Sequence, residues 1–191
     1  MIEETGREQH AATPGFDIGV IRPQMRSEEV RFRGQDMPAD RRKKIKSGLF
    51  ALHTLEGMAA NIYRFQLSGE SSELNRQLVA ALCNEMTHFQ DFEVKLREYG
   101  WQPSKVRWAY ELTGLVLGTV SRLKGPKGML RMAIWAETKA VHHYDQLLKT
   151  VDWDEDTRRI IEKDQADEHG HIARWKNLMN SLEKGTLDSA S

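Results

Sequence analysis

The chain has 191 residues, enough for one domain with a sizeable core. Hydrophobic residues make up 39% and charged residues 29%, the balance of an ordinary folded protein rather than a disordered or bilayer-spanning one. Basic and acidic residues both number 28, so no net charge draws nucleic acid, and the single cysteine, Cys83, excludes an internal disulfide and a four-thiolate iron site.

Residues 1–35 read as an arm or flexible tail, interrupted by Pro14 and Pro23 and without a sustained apolar period, although Phe16, Ile18, Val20 and Ile21 can lie against a core. The opening residues form no apolar signal region, and no run of about 18 apolar residues occurs. A cytoplasmic chain in a reducing compartment is expected. Residues 36–185 form the expected bundle domain and residues 186–191 a disordered tail.

The first helix is expected to begin at Pro38 and stop by Gly69, because Ile45, Leu49, Leu52, Leu55, Ala59 and Ile62 recur at steps of three and four. A second spans about 72–99 and ends at Gly100. A third follows Pro103 and breaks at Gly125-Pro126, and a fourth runs from there to about Thr150. The fifth opens at Asp152, with Glu155 three residues on as in a capping box, and ends near Gly185. No β-alternation is present. The fold class is all-α, a ferritin-like antiparallel four-helix bundle with an additional connecting helix.

Glu85-Met86-Thr87-His88 and Glu168-His169-Gly170-His171 are both Glu-x-x-His within helical patterns. At about 100° per residue, positions i and i+3 share a side, so each motif offers a carboxylate and an imidazole together. Glu56 precedes Glu85 by 29 residues and Glu137 precedes Glu168 by 31, so each half of the chain is one helix with a Glu followed by one with Glu-x-x-His. That is the ligand set of carboxylate di-metal bundles. Glu56 lies among Leu52, Leu55, Ala59 and Ala60, and Glu137 follows Ile134, Trp135 and Ala136, where an unpaired carboxylate would be costly. Four carboxylates and two neutral imidazoles carry a charge that two divalent ions cancel. Oxygen and imidazole ligands without thiolate suit iron, and manganese equally on chemistry alone.

Other residues carry weaker signals. Asp167 can accept the free N–H of a ligating histidine, or be an exposed helix charge. His53 shares a side with Glu56, and Tyr144, seven residues after Glu137, returns to the ligand side. Cys83 reads as core packing. The basic run Arg41-Arg42-Lys43-Lys44 reads as a solvated face.

At these residues the chain resembles the demethoxyubiquinone hydroxylase family of ferritin-like di-iron monooxygenases. Glu56-x-x-Ala59-x-x-Ile62-Tyr63, with His53 before it, is similar to that family's first ligand helix, and Ala136-Glu137 with His142-His143-Tyr144 to its fourth. The resemblance implies two iron ions held by Glu56, Glu85, His88, Glu137, Glu168 and His171, with O₂ as co-substrate and an external electron donor. It also implies hydroxylation of a quinone-type ring, in that family a prenylated benzoquinone, with His143 and Tyr144 between substrate and metals. A peripheral membrane surface goes with it, for which Arg97, Arg107, Arg122, Lys124 and Lys127 with Trp101 and Trp108 are candidates, and a homodimer is open. The matching third segment is apolar mainly in its middle, interrupted by Glu111 and Arg122, and Leu52 stands where the family has an aspartate. Three other readings remain: a ferritin-like iron-oxidising or peroxide-handling protein, a hydroxylase of another substrate such as a tRNA base, and a bundle whose metal site is structural or vestigial. No nucleic-acid partner is expected.

Overall fold

A computed structural model describes residues 25–186. The chain divides into two units, Met1–Arg31 and Phe32–Ser191. In the first, the described residues hold one 3-10 turn, Ser27–Glu29, fastened by the Arg26 backbone N–H donating to Glu29 Oε2 at 3.0 Å. The arm features expected at Pro14, Phe16, Ile18, Val20, Ile21 and Pro23 lie outside the described residues, as does the tail beyond Thr186.

The second unit is an all-α ferritin-like bundle of five helices, with no strand among the described residues: α1 (Ala39–Gln66), α2 (Glu73–Glu98), α3 (Arg107–Leu123), α4 (Gly125–Thr150) and α5 (Glu155–Glu183). It begins earlier than residue 36. The Arg33 N–H donates to the Glu98 carbonyl at 3.0 Å, and its guanidinium pairs with Glu98 at 2.9 Å and with Asp154 and Asp156. This arginine ties the segment before α1 to the ends of α2 and α5, and its hydrogen bond holds the Asp156 carboxyl well below the usual carboxylate range.

Helix ends follow local chemistry. Ser72 caps α2, its Oγ accepting from the Asn75 N–H at 3.2 Å. Gly100 and Gly125 end α2 and α3 at φ of 72° and 70°, a left-handed turn that suits a residue without Cβ. The cap of α5 is Asp154 rather than Asp152: its Oδ1 accepts from the Thr157 N–H at 3.1 Å and its Oδ2 from the Thr157 hydroxyl at 2.9 Å.

Helices α1 and α2 pack as one antiparallel pair and α4 and α5 as another, and the pairs meet through α1–α4 and α2–α5. The connecting helix α3 lies along α1 and reaches α4. Gly114 and Gly118 permit that approach. A Cβ at Gly118 would sit 2.5 Å from the Ile62 carbonyl oxygen, and one at Gly114 would collide with that of Met58. Gln66 Nε2 donates to Ser121 Oγ at 2.8 Å and pins the far end.

Two apolar clusters form the core. One centres on Leu49, Leu52, Phe92, Leu96, Trp153 and Ile161, the other on Leu74, Leu78, Leu130, Ala133, Trp175 and Leu178. Each cluster draws on all four bundle helices. The polar layer described next comes from the same inward faces.

Candidate metal centre

Glu56 on α1, Glu85 and His88 on α2, Glu137 on α4, and Glu168 and His171 on α5 converge in the bundle, and none is more than 1% exposed. The Glu-x-x-His spacing works as helical geometry demands, with carboxylate and ring on one inward side. His88 Nδ1 lies 3.0 Å from Glu168 Oε1 and 3.7 Å from Glu56 Oε2. His171 Nδ1 lies 3.2 Å from Glu85 Oε1, 3.2 Å from Glu137 Oε1 and 3.1 Å from Glu168 Oε2. Two overlapping sets emerge, Glu56-Glu85-His88-Glu168 and Glu85-Glu137-Glu168-His171, each with ligand atoms within 4.8 Å of one another. Glu85 and Glu168 belong to both. Each set could hold one ion, with Glu85 and Glu168 available to both and one further Glu and one His particular to each.

The residues present fit such ions. Both Glu85 oxygens, Glu137 Oε2, Glu168 Oε1 and His88 Nδ1 are buried without a hydrogen-bond partner. Each such orphan costs about 1–3 kcal/mol unless something satisfies it, and cations at the shared positions would satisfy all of them. Electrostatics agree. Burial, then repulsion from Glu168, Glu137 and Glu56, pushes the Glu85 carboxyl up, and burial with Glu168 lifts Glu137 to about 8. Burial works against the histidine charges, yet the surrounding carboxylates carry His88 up to about 12 and His171 to about 9. Burial also disfavours the charged Glu168, but its hydrogen bond with His171 and the closeness of His88 hold it below its ordinary value. The cluster as a whole draws positive charge to itself, as protons or as metal.

The residues around the ligands repeat with the helices exchanged. Tyr144, seven residues after Glu137, donates its hydroxyl to Glu56 Oε1 at 2.6 Å, and Tyr63, seven residues after Glu56, donates to Glu137 Oε1. Burial and the nearby carboxylates push both phenols well up, so each keeps its proton. The residue before each motif glutamate serves the other motif's histidine. Asp167 Oδ2 lies 3.3 Å from His88 Nε2, and the Asn84 amide 2.9 Å from His171 Nε2. With Nδ1 given to a metal, Nε2 of His88 would carry the ring proton, which Asp167 accepts; the atom Asn84 sets against His171 Nε2 is its amide nitrogen, a donor, so this amide would accept the His171 proton only once turned to present its oxygen. The repeat then breaks. Trp175, four residues after His171, donates to the Tyr63 oxygen at 3.2 Å, whereas Phe92, four after His88, has only its ring to set against Tyr144. Buried Asp164, 3.8 Å from His88 Nε2 through Oδ1, has Ala81 as its counterpart on α2. Burial lifts the Asp164 carboxyl to about 6.

Of the other residues singled out in the sequence, Tyr144 joins the six. His143 is half-buried and makes no hydrogen bond or ion pair with them among the described residues; burial, then His142, pushes its ring down. His53 is fully buried beside Phe89, ring centroids 4.1 Å apart, with Nε2 2.9 Å from Glu93 Oε2 but outside hydrogen-bond geometry. It stands behind the site, not at it. Two expectations reverse. Cys83 is exposed, because two residues from Glu85 along a helix point well away from the ligand side. Trp101 is buried against Tyr99, centroids 4.7 Å apart, with Arg42 and Lys46 over its ring, and so offers nothing to an outer surface. Tyr63, Asn84, Asp164 and Trp175 escaped the sequence reading as participants. The interval of seven that marked Tyr144 also marks Tyr63, and the position that marked Asp167 also marks Asn84.

No helix among the described residues is long and apolar enough to cross a membrane. The outer side of α3 does carry an apolar stripe, Trp108, Leu112, Val116, Val120 and Leu123, between 41% and 82% exposed. Comparison with curated proteins finds no match. Residues 43–183 match the family described as ubiquinone biosynthesis protein COQ7, a span that takes in all six buried ligand candidates and both tyrosines, and the chain belongs to that family, with its role in ubiquinone biosynthesis.

Proposed function

We propose that the protein is a di-iron, O₂-dependent monooxygenase that hydroxylates the ring of a quinone-type substrate. The observation that carries the reading is the pair of ligand sets sharing Glu85 and Glu168, buried and left with unsatisfied oxygens. Two iron ions bound there would supply activation of O₂: one oxygen atom enters a ring C–H bond, and the other leaves as water with two protons and two electrons from an external donor. Iron is favoured over manganese by the family's reaction, not by the donor atoms.

The chain's own residues hold and orient. Tyr144 and Tyr63 fix Glu56 and Glu137 by hydrogen bonds from opposite helices. Asp167 and Asn84 set the ring planes of His88 and His171. The apolar clusters above and below keep water away from the carboxylates. Tyr144 is the assigned catalytic group, and His143 belongs to the same reading at the outer edge of α4. The apolar stripe of α3 is assigned to a peripheral lipid surface, with Trp108 as its aromatic anchor. The test is anaerobic loading with ferrous iron followed by O₂, a reductant and a demethoxylated quinone. Hydroxylated quinone that requires iron and disappears in Glu137→Ala supports the reading. Iron uptake with mineral formation and no quinone product would replace it with a ferritin-like role.

A further inference from the structure

The two Glu-x-x-His motifs repeat, but the charges behind their histidines do not. Behind His88, Nε2 lies 3.8 Å from Asp164 Oδ1 and 3.3 Å from Asp167 Oδ2, both on α5. Asp91, three residues after His88 on α2, joins them through Lys163. The Lys163 ammonium lies 2.9 Å from Asp164 Oδ1 and 3.7 Å from both Asp91 Oδ2 and Asp167 Oδ2. In the same places around His171 stand Ala81 for Asp164, Asn84 for Asp167, Arg174 for Asp91 and Ala80 for Lys163. One histidine is backed by three carboxylates and the other by none of the corresponding residues.

This cluster runs from the surface to a ligand candidate. Lys163 is exposed, Asp91 and Asp167 are partly so, and Asp164 is fully buried. Lys163 reaches only Oδ1 of Asp164; the buried Oδ2 has no hydrogen-bond partner. A charged oxygen left bare at that depth is costly unless a cation or a donor meets it. Asp164, Asp167 and His88 each offer a ligand atom, all within 4.8 Å of one another, and oxygen with imidazole is a donor set for a divalent ion. The other nitrogen of His88, Nδ1, faces Glu168 and Glu56, so a single imidazole ring separates the cluster from the centre. Lys163 is itself a cation seated among these carboxylates, on a flexible stem that lets its ammonium withdraw to water.

We infer that Asp91, Asp164 and Asp167 form the port by which a divalent cation reaches the centre, displacing the Lys163 ammonium on its way to His88. The inference rests on the metal centre proposed above and is independent of the substrate. The test reads the rate of metal uptake, not turnover. The metal-free full chain is mixed anaerobically with Co(II), which takes the same oxygen and imidazole ligands, and uptake is followed by stopped-flow visible absorption. Asp91→Asn removes an outer carboxylate of the port, and Lys163→Gln removes the competing ammonium. Arg174→Gln removes one positive charge at the matching place beside His171, so it has the same net charge as Lys163→Gln. The expected result is uptake slowed at least about threefold in Asp91→Asn, quickened at least about threefold in Lys163→Gln, and within about 1.5-fold of wild type in Arg174→Gln. Final Co(II) content should be equal in all four proteins. Wild-type rates in both port variants, or an Arg174→Gln chain as fast as Lys163→Gln, overturn the port and leave the metal centre standing. No Co(II) uptake by the wild-type chain overturns both.

Discussion

Tyr144 donates its hydroxyl to Glu56 at 2.6 Å across 88 residues of sequence, and Tyr63 makes the same bond to Glu137 with the helices exchanged. Each tyrosine sits seven residues beyond one terminal glutamate and holds the other. The two halves of the bundle therefore fasten each other's ligands, and disturbing one helix pair disturbs both ends of the centre.

Tyr144→Phe and Tyr63→Phe each remove one buried hydrogen bond to a carboxylate, a change of about 1.5–3 kcal/mol. Both variants should still take up metal, with turnover down on the order of tenfold for Tyr144→Phe. Because Trp175 also bonds the Tyr63 oxygen, Tyr63→Phe leaves a second group unpaired and should destabilise the metal-free chain more, read from denaturant midpoints. Equal midpoints for the two variants would count against the Trp175 contact.

Without metal, stability should fall as pH rises. Burial, with Glu168, lifts Glu137 to about 8; burial opposes the charge on His171, but hydrogen bonds with Glu137 and Glu168 lift it to about 9. Each group then contributes stability that is complete below its unfolded value, about 4.3 for Glu and about 6.5 for His, and is lost as pH passes the folded value. Glu168, held low, acts oppositely and only in acid. Thermal melts of the metal-free chain should therefore drop between about pH 4.5 and pH 9. The loaded chain should not follow, since cations take the place of the protons. A metal-free melting temperature that climbs across this range would contradict the buried cluster.

Asp167→Ala and Asn84→Ala should each weaken metal binding about 10–100-fold, the usual effect of losing the group behind a ligating histidine. Asp167→Asn should recover most of the affinity, because an amide oxygen can still accept from His88 Nε2. Competition with a chelator measures all three.

Gly118→Val tests the seat of α3 on α1. The new side chain meets the Ile62 carbonyl and the Phe65 Cβ, 2.5 and 2.9 Å from where its Cβ would lie. Overpacking of this kind costs about 1–3 kcal/mol, and a chemical-denaturation curve unchanged from wild type would show that α3 is not fixed there.

Much of this was legible in the sequence because the bundle is built on helical arithmetic. Steps of three and four placed the first helix, Gly, Pro and capping signals bounded the others, and the i, i+3 motifs with matching glutamates 29 and 31 residues upstream brought out six side chains that the fold gathers. What stayed hidden depends on neighbours from other helices. Asp164 reads as one more helix charge until α2 buries it against His88. Trp101 reads as a surface anchor until Tyr99 and the α1 lysine and arginine cover it. The boundary at residue 36 was set by composition, whereas Arg33 is held by charges that come from residues 98, 154 and 156.

The most direct measurement is an anaerobic ferrous titration of the wild-type chain beside Glu137→Ala and His171→Ala, followed by iron analysis of the desalted proteins. Two irons per wild-type chain and a loss of at least one in each variant is the predicted outcome. Wild-type iron content no higher than that of the variants would contradict a two-metal centre at these six residues.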